Sequence, residues 1–246
     1  MLTEKETLEL ITKSKKLISK SPNFINLQTE DKNVVVIGDI HGDISCTQKI
    51  FDRYLKPKNI LIFVGDYVDR APNPGDSIKV LELIFKNKIK YPESIILLRG
   101  NHEFPKVNKK YGFYDEIIKF YNENLFNSWH SLFCLLPLAV KFNKYLILHA
   151  SIPDIQNLNE INNIEKGILD YGKNDILDQL VWGDYLPNIK QRIYGERGLK
   201  NVFVSSETDF SDSSKKLDFK ILIRGHQSKV KGLIFNDQCI SLQTSE

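Results

Sequence analysis

Cysteine is scarce: the 246 residues contain three, Cys46, Cys134 and Cys239, far apart and with no C-x-x-C pair. So small and odd a set excludes a disulfide framework and fits a reducing cytoplasm. It also excludes a thiol nucleophile of the kind followed by arginine at the sixth position, because Asp52, Val140 and Ser245 stand there. Long apolar runs are missing as well. The most apolar stretch, residues 132–140, is too short to cross a bilayer and contains Pro137. The opening Met1-Leu-Thr-Glu-Lys-Glu-Thr7 carries acids and no apolar core of a secretory signal, so a cytoplasmic protein with no membrane partner is expected. Neither sign of charge dominates. The 34 Lys and Arg against 31 Asp and Glu leave +3, without the basic stripe of a nucleic-acid binder.

What is present is a globular composition, 41% hydrophobic and 26% charged, which excludes disorder and supports a core that needs no cross-link. No repeat or linker divides the chain, so one domain over residues 1–246 is expected, with a helical N-terminal extension (1–32) and a core (33–242). Leu8, Ile11 and Ile18 share a stripe between lysines, which predicts an amphipathic helix over residues 3–20. Apolar runs at 33–37, 59–64 and 94–98 read as buried strands, with helical segments at 44–54 and 76–88 between them. That alternation predicts βαβ units and a parallel sheet. Helix follows over 113–133, then two strands (138–142 and 145–148) about a turn at Asn143-Lys144. Residues 155–181 read as partly helical, 183–198 as a long loop, and 205–216 as a short helix or loop. Strands at 220–223, 230–235 and 239–242 close the chain, and the lysines of 106–110 read as a solvated loop.

Each of the first three strands runs into a short polar sequence: Gly38-Asp-Ile-His-Gly42, Gly65-Asp-Tyr-Val-Asp-Arg70 and Gly100-Asn-His-Glu103. In open α/β sheets, ligand sites gather at the carboxyl ends of strands. His149 and His226 follow two later strands in the same way. Four of the five histidines thus end strands, and only His130 lies in a helical stretch, where a structural role is expected. Imidazole, carboxylate and amide oxygen together suit borderline cations such as Mn, Fe or Zn. Six candidate ligands are too many for one ion with an open position. They are about right for two ions sharing a carboxylate, an arrangement that acts on both oxygens of a phosphoryl displacement.

In this order and on these strands, the motifs resemble the metallophosphoesterase superfamily and, more narrowly, the PPP family of serine/threonine protein phosphatases. The resemblance continues in Leu97-Leu-Arg-Gly-Asn-His-Glu103, Tyr111-Gly-Phe-Tyr-Asp-Glu116, Cys134-Leu-Leu-Pro-Leu138, Val181-Trp-Gly-Asp184 and Leu222-Ile-Arg-Gly-His-Gln227, and covers roughly residues 33–242. It implies an α/β calcineurin-like metallophosphoesterase fold, a central β-sandwich of mixed sheets flanked by helices. It also implies hydrolysis of phosphoserine and phosphothreonine in proteins by direct attack of a hydroxide that bridges two divalent metals, manganese favoured over iron or zinc. Asp39 and His41 would bind the first metal, Asp66 would bridge, and Asn101, His149 and His226 would bind the second. His102 would be the general acid, oriented by Asp69. Arg70 and Arg197 would hold the phosphate oxygens, while Arg99 and Arg224 would pair with carboxylates and not touch substrate. Trp182 and Asp184 are expected to support the loop that carries Arg197.

The sequence departs from the family in three places. Ala150-Ser151 follows His149 where many members have two glycines, Ala71 stands where glycine usually follows the arginine, and the chain stops at Glu246 without the longer C-terminal segment of eukaryotic members. The last departure resembles compact archaeal or bacterial members and gives no basis for expecting regulatory subunits, so phosphoprotein substrates are the implied partners. Two other readings compete. A dinucleoside tetraphosphate hydrolase shares the early motifs, but segments 111–116 and 222–227 look closer to the protein phosphatases. A catalytically inactive binding scaffold would normally have lost ligands that are all present here.

Overall fold

Thr3 starts the first helix. Its hydroxyl accepts from the Glu6 N–H while the Glu6 carboxylate accepts from the Thr3 N–H, so α1 (Glu4–Ile18) opens on a reciprocal cap. The computed structural model describes residues 1–230 and 232–244. The expected N-terminal extension is not helical throughout: Phe24–Leu27 is a strand, β1, paired in parallel with a strand 115 residues further on. Four residues with no regular alternation become a strand only because that distant edge offers its backbone groups.

The βαβ reading holds. β2 (Asn33–Ile37), α2 (Ile44–Tyr54), β3 (Asn59–Phe63), α3 (Asp76–Lys90) and β4 (Ile95–Leu97) form a three-stranded parallel sheet in the order β2-β3-β4. Next come α4 (Pro105–Tyr111), α5 (Phe113–Phe120), α6 (Glu123–Phe133), β5 (Ala139–Phe142) and β6 (Tyr145–Leu148). The single helix expected over 113–133 breaks at Asn122, whose side chain accepts from the Leu125 N–H and starts a new helix. The lysine-rich stretch expected as a loop is α4. Pro105 opens it, Gly112 at φ 113° ends it, and Val107 and Asn108 are buried beneath the lysines.

The remainder is α7 (Asp175–Trp182), β7 (Asp184–Tyr185), β8 (Ile193–Tyr194), β9 (Phe203–Ser205), α8 (Glu207–Lys216), β10 (Ile221–Arg224), β11 (Gly232–Ile234) and β12 (Cys239–Ser241). The loop expected over 183–198 contains β7 and β8, which pair with β9 as a small separate sheet. The polar segment 205–216 is a helix, because Ser206 and Asp209 cap each other. Lys231, within the strand expected over 230–235, lies outside the described residues.

A second, mixed sheet has the order β1-β5-β6-β10-β12-β11. The two large sheets pack face to face, with Ile60, Ile62, Val64 and Leu98 from one meeting Val140 and Ile147 from the other. The alternate residues Leu61 and Phe63 point the other way, into the core under α1 to α3, α5 and α6. A third core lies outside the mixed sheet, under α7 and α8. The result is the expected sandwich of mixed sheets flanked by helices. The sheets are joined at one end, where Asp39 bridges to Gln243 and the Thr244 N–H donates to the Asp39 carbonyl. Among the described residues, no helix is long and apolar enough to cross a membrane.

His130 is buried against Phe113, Phe126 and Phe133, and among the described residues neither ring nitrogen has a hydrogen-bond partner. Burial, with Arg99 and Lys109 nearby, lowers its pKa to about 3. The unfolded chain binds a proton here near pH 6.5 and the folded chain does not, so stability falls as pH drops below that value. His130→Leu removes two unmet polar atoms and is expected to raise stability by roughly 1–3 kcal/mol at neutral pH. The gain in melting temperature should be larger at pH 5 than at pH 7.5, which thermal unfolding at the two values checks.

Candidate metal centre

The polar sequences at the ends of β2, β3, β4, β6 and β10 meet in one crevice, where Asp39, His41, Asp66, Asn101, His102, His149 and Arg224 are all buried. The chain turns there by adopting left-handed backbone at non-glycine residues: His41 (φ 45°), Asp66 (54°), Asp69 (68°), Arg70 (55°) and His226 (70°). Such conformations cost about 1–2 kcal/mol each. Concentrated in one crevice, they mark a site whose surroundings over-determine it. Two glycines permit the close approach. A Cβ at Gly100 would lie 2.3 Å from Asp66 Oδ1, and one at Gly225 would lie 2.0 Å from Asp39 Oδ1.

Three imidazoles are oriented by backbone carbonyls. His41 Nδ1 is 3.0 Å from the Val68 carbonyl, His149 Nδ1 is 3.0 Å from the Val64 carbonyl, and His226 Nε2 is 3.2 Å from the Trp182 carbonyl. A carbonyl can only accept, so each of these nitrogens carries the proton. Burial holds all three rings neutral, with His41 lowered to about 3 and His149 and His226 well below their usual value. Their other nitrogens therefore present lone pairs. His149 Nε2 faces Asn101 Oδ1 at 3.0 Å and Asp66 Oδ1 at 3.4 Å, and His226 Nδ1 faces Asn101 Oδ1 at 2.8 Å. His41 Nε2 lies 3.7 Å from the other Asp66 oxygen.

Acceptors thus point at acceptors, an arrangement that repels unless a cation lies among them. The carboxylates agree. Burial raises the Asp39 pKa to about 7, and burial reinforced by Asp39 raises that of Asp66 well above the carboxylate range. A nitrogen and oxygen set with outward N–H groups held by carbonyls fits a borderline divalent ion. Asp66 divides its two oxygens between the His41 side and the His149 side. Two sets of donor atoms, His41–Asp66–His102 and Asp66–His149–His226, each lie within 4.8 Å of one another. Asp39 stands beside them, its carboxylate accepting the His226 N–H at 2.9 Å.

His102 Nδ1 is 2.6 Å from Asp69 Oδ2. Burial lowers the His102 pKa, and Asp69 opposes the shift. Asp69 is fixed in turn by the Asn108 amide at 2.7 Å and the Phe113 N–H at 2.9 Å, and the same Asn108 amide donates to the His102 carbonyl at 2.8 Å. Asn108 was invisible among the lysines of 106–110, because only the helical turn of α4 brings it inward. Glu103 carries no role in the sequence reading either. Its carboxylate accepts the Asp66, Tyr67 and Gly100 N–H groups at 2.8–2.9 Å and ties the ends of β3 and β4 together.

Arg70 reaches His41 Nε2 and His102 Nε2, each at 3.2 Å. Arg197 sits at the lip in a left-handed conformation, its guanidinium on Asp184 at 2.8 and 3.0 Å. Arg99 and Arg224 differ from expectation. Both are buried, but neither forms an ion pair with a carboxylate among the described residues. Arg99 lies 3.8 Å over the Phe104 ring and reaches the Glu103 carbonyl at 3.5 Å, while Arg224 donates to Gln227, Ser241 and the Gly183 carbonyl. Of the carboxylates around them, Glu103 and Asp39 already accept backbone N–H groups, and Asp184 is held by Arg197.

A model of the calcineurin-like phosphoesterase family matches residues 32–229. Among solved structures, a protein serine/threonine phosphatase from Saccharomyces cerevisiae, described as similar to human phosphatase PP5, superposes with a TM-score of 0.88 at 26% identity, over 98% of this chain and 77% of that one. A cold-active protein-tyrosine phosphatase of a psychrophilic Shewanella species superposes with a TM-score of 0.64 at 17% identity, over 93% of this chain and 75% of that one, and shares the fold alone.

Proposed function

Because the chain belongs to the calcineurin-like phosphoesterase family, we propose that it removes phosphate from phosphoserine and phosphothreonine in proteins, with manganese as the metal. The observation that carries the reading is the pairing of an inward-facing lone-pair set with the Asp69–His102–Arg70 group beside it. Likeness to the yeast phosphatase over nearly the whole chain supports the substrate class. Three dispersed cysteines accord with a cytoplasmic setting.

In this reading Asp39, His41 and Asp66 hold one cation, and Asp66, Asn101, His149 and His226 hold the other. The chemistry supplied by two bound divalent cations is activation of water near neutral pH and neutralisation of phosphate charge. The side chains do the rest. Arg70 and Arg197 bind the phosphate oxygens, for which a planar guanidinium is suited. His102 gives a proton from Nε2 to the departing seryl or threonyl oxygen, a poor leaving group without it. Asp69 keeps Nδ1 protonated and favours the charged ring that must form. Arg70 and His102 Nε2 are 3.2 Å apart, so an ester held by one places its leaving oxygen at the other.

The test is a direct comparison of kcat/KM on phosphoserine and phosphothreonine peptides, a phosphotyrosine peptide and diadenosine tetraphosphate with manganese-loaded protein. The first two should lead. A clear advantage for diadenosine tetraphosphate would overturn the reading in favour of the nucleotide hydrolase.

A further inference from the structure

A groove of about 270 Å³ lies between α4 and the loop of Arg197, walled by Val107, Tyr111, Tyr171 and Trp182 with Lys110 and Arg197 upon it. It adjoins the centre directly. The Tyr111 ring lies 5.2 Å from the Arg70 guanidinium and 5.2 Å, edge-on, from the His102 ring. Whatever flanks a phosphate ester held at Arg70 and His102 has this groove beside it.

The groove carries cations at its rim, Lys110 and Arg197. Most cations around it are already balanced: Arg197 by Asp184 at 2.8 Å, Lys106 by Asp170 at 2.9 Å, and Lys109 by Glu123 at 3.7 Å. Lys110 is the exception among the lysines of α4, with no acid in reach among the described residues. The volume falls below the roughly 300–1,000 Å³ usual for small-molecule sites. It suits one side chain better than a nucleoside with its phosphates.

We infer that this groove takes an acidic residue of the substrate next to the phosphorylated serine or threonine. The carboxylate meets Lys110, and the methylenes lie on Tyr111 and Val107. The inference rests on the phosphoprotein reading above and names the class of sequence that the centre prefers. Attraction at a half-exposed site of this kind is modest and screened by salt.

The experiment uses paired phosphoserine peptides that differ only in glutamate or lysine at the neighbouring positions, assayed with the full manganese-loaded chain. Wild type should favour the glutamate peptides by about five- to tenfold in kcat/KM at low ionic strength, and the preference should fade in high salt. Lys110→Glu, at an exposed helix position, should invert it. No charge preference in wild type, or one that Lys110→Glu leaves in place, overturns the assignment. So does a Lys110→Glu effect confined to diadenosine tetraphosphate, which would make the occupant a nucleotide. Failure to turn over any phosphopeptide overturns the parent reading and this one together, whereas turnover without charge preference overturns this one alone.

Discussion

His102→Asn is expected to lower kcat on a phosphoserine peptide by about 10²–10⁴-fold while leaving the metal content unchanged. The donors His41, Asp66 and His102 lie close enough to share one ion, so geometry alone admits two roles for His102. Its Nδ1 is committed to Asp69 at 2.6 Å, and its Nε2 faces Arg70 rather than the Asp66 carboxylate. A proton donor in that position matters most when the leaving group is basic. The deficit should therefore shrink to roughly tenfold or less on p-nitrophenyl phosphate, whose leaving oxygen needs little protonation. Elemental analysis and the two substrates together decide the matter. Loss of a metal equivalent would make His102 a ligand, and an equal deficit on both substrates would remove the general-acid role.

Asp66→Asn should act on the metals themselves. Asp66 turns one oxygen to the His41 side and the other to the His149 side, and burial, with Asp39 and Glu103 close by, raises its pKa far above the usual range. Removing the residues that merely orient metal ligands commonly costs about 10–100-fold, so losing this shared carboxylate should cost more than about 10²-fold in kcat/KM and at least one equivalent of bound metal. Thermal unfolding offers a readout independent of activity. With chelator present, the variant should melt above wild type, because a buried carboxylate without a cation is unfavourable. With manganese at about a hundred times its dissociation constant, wild type should gain roughly 2.7 kcal/mol and the variant much less. A variant that bound two equivalents and gained as much as wild type would dismiss Asp66 as the shared ligand.

Much of the scaffold was legible because local pattern and global fold agree there. Residues 60–64 are apolar without interruption, and β3 is buried on both faces between two cores. The errors fall where a segment's conformation depends on something remote. β1 exists through its pairing with β5, and β7 and β8 exist through β9. In α4 the lysines dominate the composition, and the inward turn of Val107 and Asn108 appears only once Pro105 and Gly112 are seen to bound a helix. Arg99 and Arg224 show the reverse case. The family resemblance implied ion pairs for them, but Glu103 and Asp39 are already engaged by backbone N–H groups and Asp184 by Arg197.

Residue type and order along the chain determined the chemistry: which strands end in aspartate, histidine and asparagine, that no thiol can serve, and that the donors suit borderline cations. These are properties of side chains and of period, and they survive without coordinates. Only the tertiary structure decided which nitrogen of each histidine faces inward, that Asp66 divides its oxygens between two sides, that Asn108 and Glu103 brace the centre, and that Lys110 lies beside it with no acid in reach among the described residues. Each of those depends on a carbonyl, an N–H or an acid brought close from a distant part of the chain, and distance through space is the one quantity that a linear order of residues does not contain.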